Sequence, residues 1–275
     1  MKKFHILMLF AAFAMIFAAC SSADENSAEP AEIDTGVVIE ESVGENENSL
    51  PEEAAVDEGG NAPQPGQEVA ALNGRAVFFA HNSVGQNILD GVREVDGGIP
   101  IFSEQEAGAA GIAEVYMGFN GDPDGKMDAF RGLMDAGGNN AQIAFFKLCY
   151  ADFDANTNAT ALFDKYASVM TELEAKYPDV TFAHVTAPLY HYNASYHNSA
   201  QHAFNEKMRS GYGAVVFDLA ALEAVDSSGA GTLSRDGVTP AMAEEWSLDG
   251  SHLNEAGGKY IAGELIQFLA NVPLR

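Results

Sequence analysis

Ser83 stands where an apolar run gives way to a helical pattern. Val77-Phe78-Phe79-Ala80 lead into His81-Asn82-Ser83, and Ile88, Leu89, Val92 and Val95 then recur at spacings that share one helical face. The serine therefore belongs at the turn between a buried strand and a helix, outside the carboxyl end of the strand, where open α/β sheets bind ligands. The helix start offers free N–H groups and a positive dipole end, both suited to developing negative charge. A serine there can act as a nucleophile or simply cap the helix.

A second group lies near the C-terminus, in Trp246-Ser247-Leu248-Asp249-Gly250-Ser251-His252-Leu253-Asn254. A nucleophilic serine needs a base within hydrogen-bond reach and a carboxylate to hold that base in the right tautomer. Asp249 and His252, three residues apart on a glycine-containing loop, can supply both. Taken alone, an Asp-x-x-His spacing also fits a capped turn with a surface histidine.

These residues need a scaffold, and the pattern from Asn73 onward alternates strand and helix. Strands are expected at 76–80, 98–102, 141–150, 181–189 and 214–219, and helices at 84–95, 126–134, 161–177, 199–208 and 254–270. About five strands alternating with five helices imply a parallel sheet covered on both faces, with right-handed crossovers. The run 141–150 is apolar around Lys147, as in a strand buried on both sides. About 200 residues suffice for one such domain.

The first 72 residues differ in kind. Met1-Lys2-Lys3 followed by the apolar stretch 4–19 reads as a secretory signal. It ends Phe17-Ala18-Ala19-Cys20, which resembles a bacterial lipobox with Cys20 as the lipidated residue; residues 1–19 are then the signal peptide. Ser21 and Ser22 follow in place of an aspartate that would favour the inner membrane, which, in a Gram-negative cell, points to the outer membrane. Residues 20–72 carry 14 Asp or Glu and no Lys or Arg, a composition expected to form an extended acidic tether. The net charge of −26 leaves about −14 on residues 73–275, a surface that disfavours nucleic acid and anionic lipid. With Cys20 lipidated, Cys149 has no partner, so the core is expected to stand without a disulfide.

Together, the serine after the first strand and Asp249, His252 and Leu253 before the last helix resemble the SGNH (GDSL-like) hydrolase family. His81-Asn82-Ser83 stands at that family's first block, usually Gly-Asp-Ser. The resemblance spans most of residues 75–270. It implies a three-layer α/β/α sandwich with a parallel, flavodoxin-like sheet, and Ser83 as nucleophile, His252 as base and Asp249 as its orienting partner. It also implies an oxyanion-hole glycine near Tyr116-Met117-Gly118-Phe119-Asn120-Gly121, supplied by Gly118 or Gly121. The family's third block carries an asparagine, and Lys147-Leu148-Cys149-Tyr150-Ala151-Asp152 has none in the matching place. Loss of one oxyanion donor costs around 10²–10³ in rate, so a substitute is required, with Asn82, Lys147 and Tyr150 as candidates. This marks a divergent branch.

Lys147 has two readings, an ammonium in the site or a strand-end lysine paired with Asp152 or Asp154. His184, His191, His197 and His202 fall with Tyr190, Tyr192 and Tyr196 between the fourth strand and the next helix. Their spacing lacks the i, i+4 pair of a helical zinc site, so no metal is expected. The segment reads as a loop over the pocket whose tyrosines could stack on sugar rings, or as an ordinary surface loop. No glycine-rich phosphate loop is present, and no cofactor is expected.

The sequence thus points to a lipid-anchored, extracytoplasmic serine esterase, with acyl (acetyl) esters of carbohydrate as substrate and acyl transfer as a variant. The alternative is a non-catalytic lipoprotein binding glycan or protein on the same scaffold. A small-molecule or glycan ester, and the membrane through the N-terminal lipid, are the expected partners.

Overall fold

The computed structural model describes residue 72, residues 74–191 and residues 195–275, without the side chains of 195–197. The signal peptide, Cys20 and the acidic stretch up to residue 71 lie outside the described residues. Leu72, at the end of that stretch, is fully buried in the core.

The chain runs β1 (Ala76–His81), α1 (Val84–Val95), β2 (Ile101–Ser103), β3 (Gly111–Tyr116), α2 (Pro123–Ala136), β4 (Ile143–Phe146), α3 (Ala159–Lys176), β5 (Thr181–Phe182) and β6 (His184–Val185). It continues through α4 (Ser195–Tyr212), β7 (Val216–Phe217), α5 (Leu219–Glu223) and α6 (Glu255–Asn271). Five strands form a parallel sheet in the order β2-β3-β1-β4-β5. Beyond it β6 pairs with β7, also in parallel. Only Ala183 separates β5 from β6, and its N–H still donates to Ala144 O at 3.1 Å, so the second pair continues the layer.

Period-two alternation sorts the strand side chains into two cores. Val77, Phe79, Ile143 and Phe145 face α1, α5 and α6. Phe78, Ala80, Ala144 and Phe146 face α2, α3 and α4. The result is the expected three-layer α/β/α sandwich, and the stripe Leu162, Tyr166, Val169, Met170 and Leu173 on α3 is buried as its spacing requires.

The five-stranded sheet departs from expectation in one member. Gly111–Tyr116 forms β3 between β2 and β1, where no strand was expected. The run 141–150 also yields a shorter strand than its apolar length suggests. β4 ends at Phe146, and the chain then turns through a short helical turn at Tyr150–Asp152.

The contact that matters for function is between α1 and α6. A Cβ on Gly91 would lie 2.2 Å from Gly258 O, and one on Gly258 would lie 2.8 Å from Asn87 O. Only glycine permits this approach. The contact holds the first turn of α6 against α1 between Asn87 and Gly91. Ser83 precedes one helix and His252 the other.

Candidate active site

Ser83 has φ 52° and ψ −109°, and it is the only non-glycine with positive φ among the described residues. Such a conformation costs about 1–3 kcal/mol and persists only where its surroundings impose it. Its side chain makes no capping hydrogen bond to α1, which removes the capping reading. Its Oγ is buried without a hydrogen-bond partner. The turn places this buried hydroxyl at the head of α1.

The surroundings that impose the turn are identifiable. Gly85 N–H donates to Asn82 O at 3.1 Å, Gln86 N–H to Ser83 O at 2.7 Å, and Met117 N–H to His81 O at 3.0 Å. A Cβ on Gly85 would lie 2.5 Å from the His81 Cβ, so the turn closes directly over that imidazole. His81 is fully buried, with its ring centroid 4.8 Å from Phe79 and 5.0 Å from Tyr116. Burial first, and then the nearby Lys147 charge, push its pKa down to about 3. The imidazole is thus neutral, and its 3.0 Å contact from Nε2 to Glu114 is a hydrogen bond rather than an ion pair.

Asp249 and His252 come together on the loop before α6. Asp249 Oδ1 accepts from the N–H groups of Ser251 (3.0 Å) and His252 (2.9 Å), and Oδ2 lies 2.7 Å from His252 Nδ1. Burial alone would raise the Asp249 carboxyl, but hydrogen bonds from His252 and Ser251 outweigh it and hold the group well below the usual carboxylate range. The carboxylate is ionised and fixes Nδ1 as the protonated nitrogen. Asn254 then caps α6 by accepting from Gly257 N–H at 2.9 Å, and its Nδ2 donates to Glu245 O at 2.6 Å. The Asp-x-x-His spacing is thus an orienting turn and not a bare surface histidine.

The remaining nitrogen, His252 Nε2, is 3.0 Å from Tyr150 OH. Tyr150 lies just beyond β4, next to β1 in the sheet. Its ring meets His252 edge-on at 5.5 Å and Tyr190 edge-on at 4.8 Å. Ser83 and His252 share the sheet edge, yet a tyrosine hydroxyl holds the base.

The other candidates separate clearly. Gly121 N–H donates to Asp152 Oδ1 at 2.8 Å, whereas Gly118 N–H has no acceptor among the described residues. Gly118 has φ 61°, with the backbone folded against Lys126. Asn82 spends its Nδ2–H on the Met117 carbonyl and so positions the Gly118 turn. Lys147 is 1% exposed, and its ammonium donates to Leu148 O at 3.5 Å. It does not pair with Asp152 or Asp154. Asp152 belongs to Lys126 at 2.7 Å, with both side chains fully buried, and Asp154 accepts from Asn156 N–H and the Thr157 hydroxyl. Burial lowers the Lys147 pKa.

Sequence reasoning missed two supports of the site and one buried acid. The Lys126–Asp152 pair ties the Gly118–Gly121 loop to the turn carrying Tyr150, through Asp152 bonds to Gly121 N–H and to Cys149 N–H (2.6 Å). Gly85 was visible only as a glycine after the serine. Glu223 is buried near Lys147, accepts from Leu189 N–H at 2.6 Å, and has its pKa raised to about 8 by burial, against the pull of that hydrogen bond and of Lys147.

A cavity of about 540 Å³ opens beside the Asp249 turn, bordered by Tyr190, His191, Glu244, Ser247 and Leu248. Of the tyrosine-rich segment, Tyr190 stands at this cavity; Tyr192 and the side chains of Tyr196 and His197 lie outside the described residues. His184 is a core histidine, bonded to Tyr166 OH at 2.8 Å and stacked on Tyr212. Among the described residues no group of three His, Cys, Asp or Glu side chains could hold a metal.

No family model matches the chain, and no curated protein matches it either. Solved structures do. The chain is similar to a lipase/acylhydrolase from Enterococcus faecalis, with 11% identity and a TM-score of 0.47 over 73% of this chain and 97% of that one. It is similar to the periplasmic domain of a lipopolysaccharide acetyltransferase from Salmonella ser. Paratyphi A, with 12% identity and a TM-score of 0.42 over 73% and 87%. It is also similar to a carbohydrate esterase family 3 protein from Talaromyces cellulolyticus, with 15% identity and a TM-score of 0.39 over 72% and 98%.

Proposed function

We propose that the protein is an extracytoplasmic serine esterase, held by a lipid anchor at Cys20, that cleaves acyl esters of carbohydrate, acetyl esters above all. The observation that carries the reading is the Ser83 turn. A strained serine whose buried hydroxyl neither caps the helix nor bonds to the protein has no structural use that would repay its strain. Asp249 and His252 stand as an oriented acid–base pair at the same sheet edge.

In this reading Ser83 Oγ attacks the ester carbonyl while its proton passes to His252 Nε2. Asp249 holds the imidazole and stabilises the imidazolium that forms. The oxyanion is met by the N–H groups of Ser83 and Gly118. Collapse expels the alcohol, which takes the proton from His252, and water repeats the cycle on the acyl-enzyme. Carbohydrate as the alcohol is supported by the cavity beside the Asp249 turn. It offers an aromatic face at Tyr190 and acceptors at Glu244 and Ser247, groups suited to sugar rings and hydroxyls. Transfer of the acyl group to a second sugar uses the same steps, with a hydroxyl in place of water.

One observation favours the rival reading, a glycan- or protein-binding lipoprotein on the same scaffold. Ser83 Oγ is not bonded to His252, whose Nε2 is held by Tyr150. A fluorophosphonate probe separates the two. An esterase is labelled at Ser83, as read by peptide mass spectrometry, and gives no label in Ser83→Ala. A binding module gives no Ser83 adduct at all.

A further inference from the structure

The hydrogen bond from Tyr150 to His252 assigns the tyrosine a part in the chemistry. Asp249 is ionised and takes Nδ1–H, so Nε2 carries the lone pair and the Tyr150 hydroxyl is the donor. A ring nitrogen has one lone pair, in the plane of the ring, and it accepts one donor in line. Ser83 cannot pass its proton to His252 while Tyr150 holds that position.

The tyrosine is held by its neighbours. The backbone of Tyr150 starts the short turn whose Asp152 is pinned by Lys126 and by two backbone N–H groups. Its ring is wedged edge-on between Tyr190 and His252. A serine oxygen bonded to Nε2 and a tyrosine oxygen bonded to Nε2 each sit roughly 3 Å from the same atom. Once displaced, the tyrosine O–H needs a new acceptor. A bound ester supplies one in its carbonyl oxygen.

Resting on the esterase reading, we propose that Tyr150 is a catalytic residue whose hydroxyl donates to His252 Nε2 in the free protein and to the ester oxygen during acyl transfer. As the Ser83 Oγ–carbon bond forms, the carbonyl π pair moves onto oxygen, and that oxyanion accepts from Tyr150, Ser83 N–H and Gly118 N–H. The serine proton goes to the vacated Nε2. When the carbon–alkoxide bond breaks, the pair returns to re-form the carbonyl, the alkoxide takes the proton from Nε2, and Tyr150 can return to the base. The tyrosine thus keeps base and nucleophile apart until a substrate carbonyl arrives.

The test is Tyr150→Phe in the full chain, which keeps the ring contacts and removes only the hydroxyl. Turnover of p-nitrophenyl acetate and the rate of fluorophosphonate labelling are measured beside wild type and Ser83→Ala. We expect kcat to fall about 10²–10³-fold, the cost of one oxyanion donor, with KM within about twofold and labelling slowed in parallel. Tyr150→Phe turning over as fast as wild type, or faster, while Ser83→Ala is inactive would overturn this role and leave the esterase reading intact. Wild type no faster than Ser83→Ala would overturn both.

Discussion

The two halves of the site are held by opposite means. The serine half is sterically fixed. Gly85 closes on a fully buried His81, the Asn82 amide locks onto the neighbouring loop, and a buried ion pair stands behind that loop. The histidine half is polar and open. The His252 and Asp249 side chains are 31% and 49% exposed, and a net of hydrogen bonds within a short turn orients them. Packing tolerates few positions, so it suits a strained nucleophile; a hydrogen-bonded turn can yield slightly, so it suits a base that must exchange partners. Damage to the packing around Ser83 should therefore appear as lost stability and damage to the histidine turn as lost rate.

The sharpest separation comes from Asp249→Asn. It keeps an acceptor for the turn but stabilises the wrong tautomer of His252, and an equivalent change in a serine protease costs about 10⁴ in kcat. We expect a fall of about 10³–10⁴ with the urea midpoint nearly unchanged; a large loss of stability would break the comparison. Lys126→Met strands the buried Asp152 carboxylate and should destabilise by about 3–5 kcal/mol, read from urea unfolding. Gly85→Ala forces a Cβ against His81 and should cost about 1–3 kcal/mol, with activity falling alongside. If Gly85→Ala unfolds at the wild-type midpoint, the steric account of the serine turn fails.

A further separation concerns pH. The Glu223 carboxyl, raised to about 8 by burial, keeps its proton in the folded protein where the unfolded chain has lost it. Its contribution is full below the usual carboxylate range and is lost as pH rises toward about 8. Glu223→Gln, which retains an acceptor for Leu189 N–H, should flatten that decline in a stability–pH series; an unchanged slope would assign the decline to another group.

The legible parts of the molecule were those written in local periodicity. Phe79 and Ile88 announce a buried strand and a helix across Ser83, and Asp249 and His252 lie close enough in sequence to share a turn. β3 was missed because Gly111 and Ala113 dilute its apolar signal; its neighbours on both sides, not its composition, bury it. The Lys126–Asp152 pair was illegible because it joins residues 26 apart through tertiary contact. Lys147 looked like the natural partner of Asp152 by proximity in sequence, but the turn after β4 aims that carboxylate at α2 instead. Tyr150 stood out by position, while its bond to His252 spans 102 residues and only the fold supplies it.

The central claim is that Ser83 and His252 act as one unit, and it is tested most directly by p-nitrophenyl acetate hydrolysis with wild type, Ser83→Ala, His252→Ala and the double variant. We expect each single variant to lose most of the wild-type rate and the double variant to lose no more than either, because members of one catalytic unit are non-additive. Four equal rates at the buffer background would contradict the claim and leave a binding protein on a hydrolase-like scaffold.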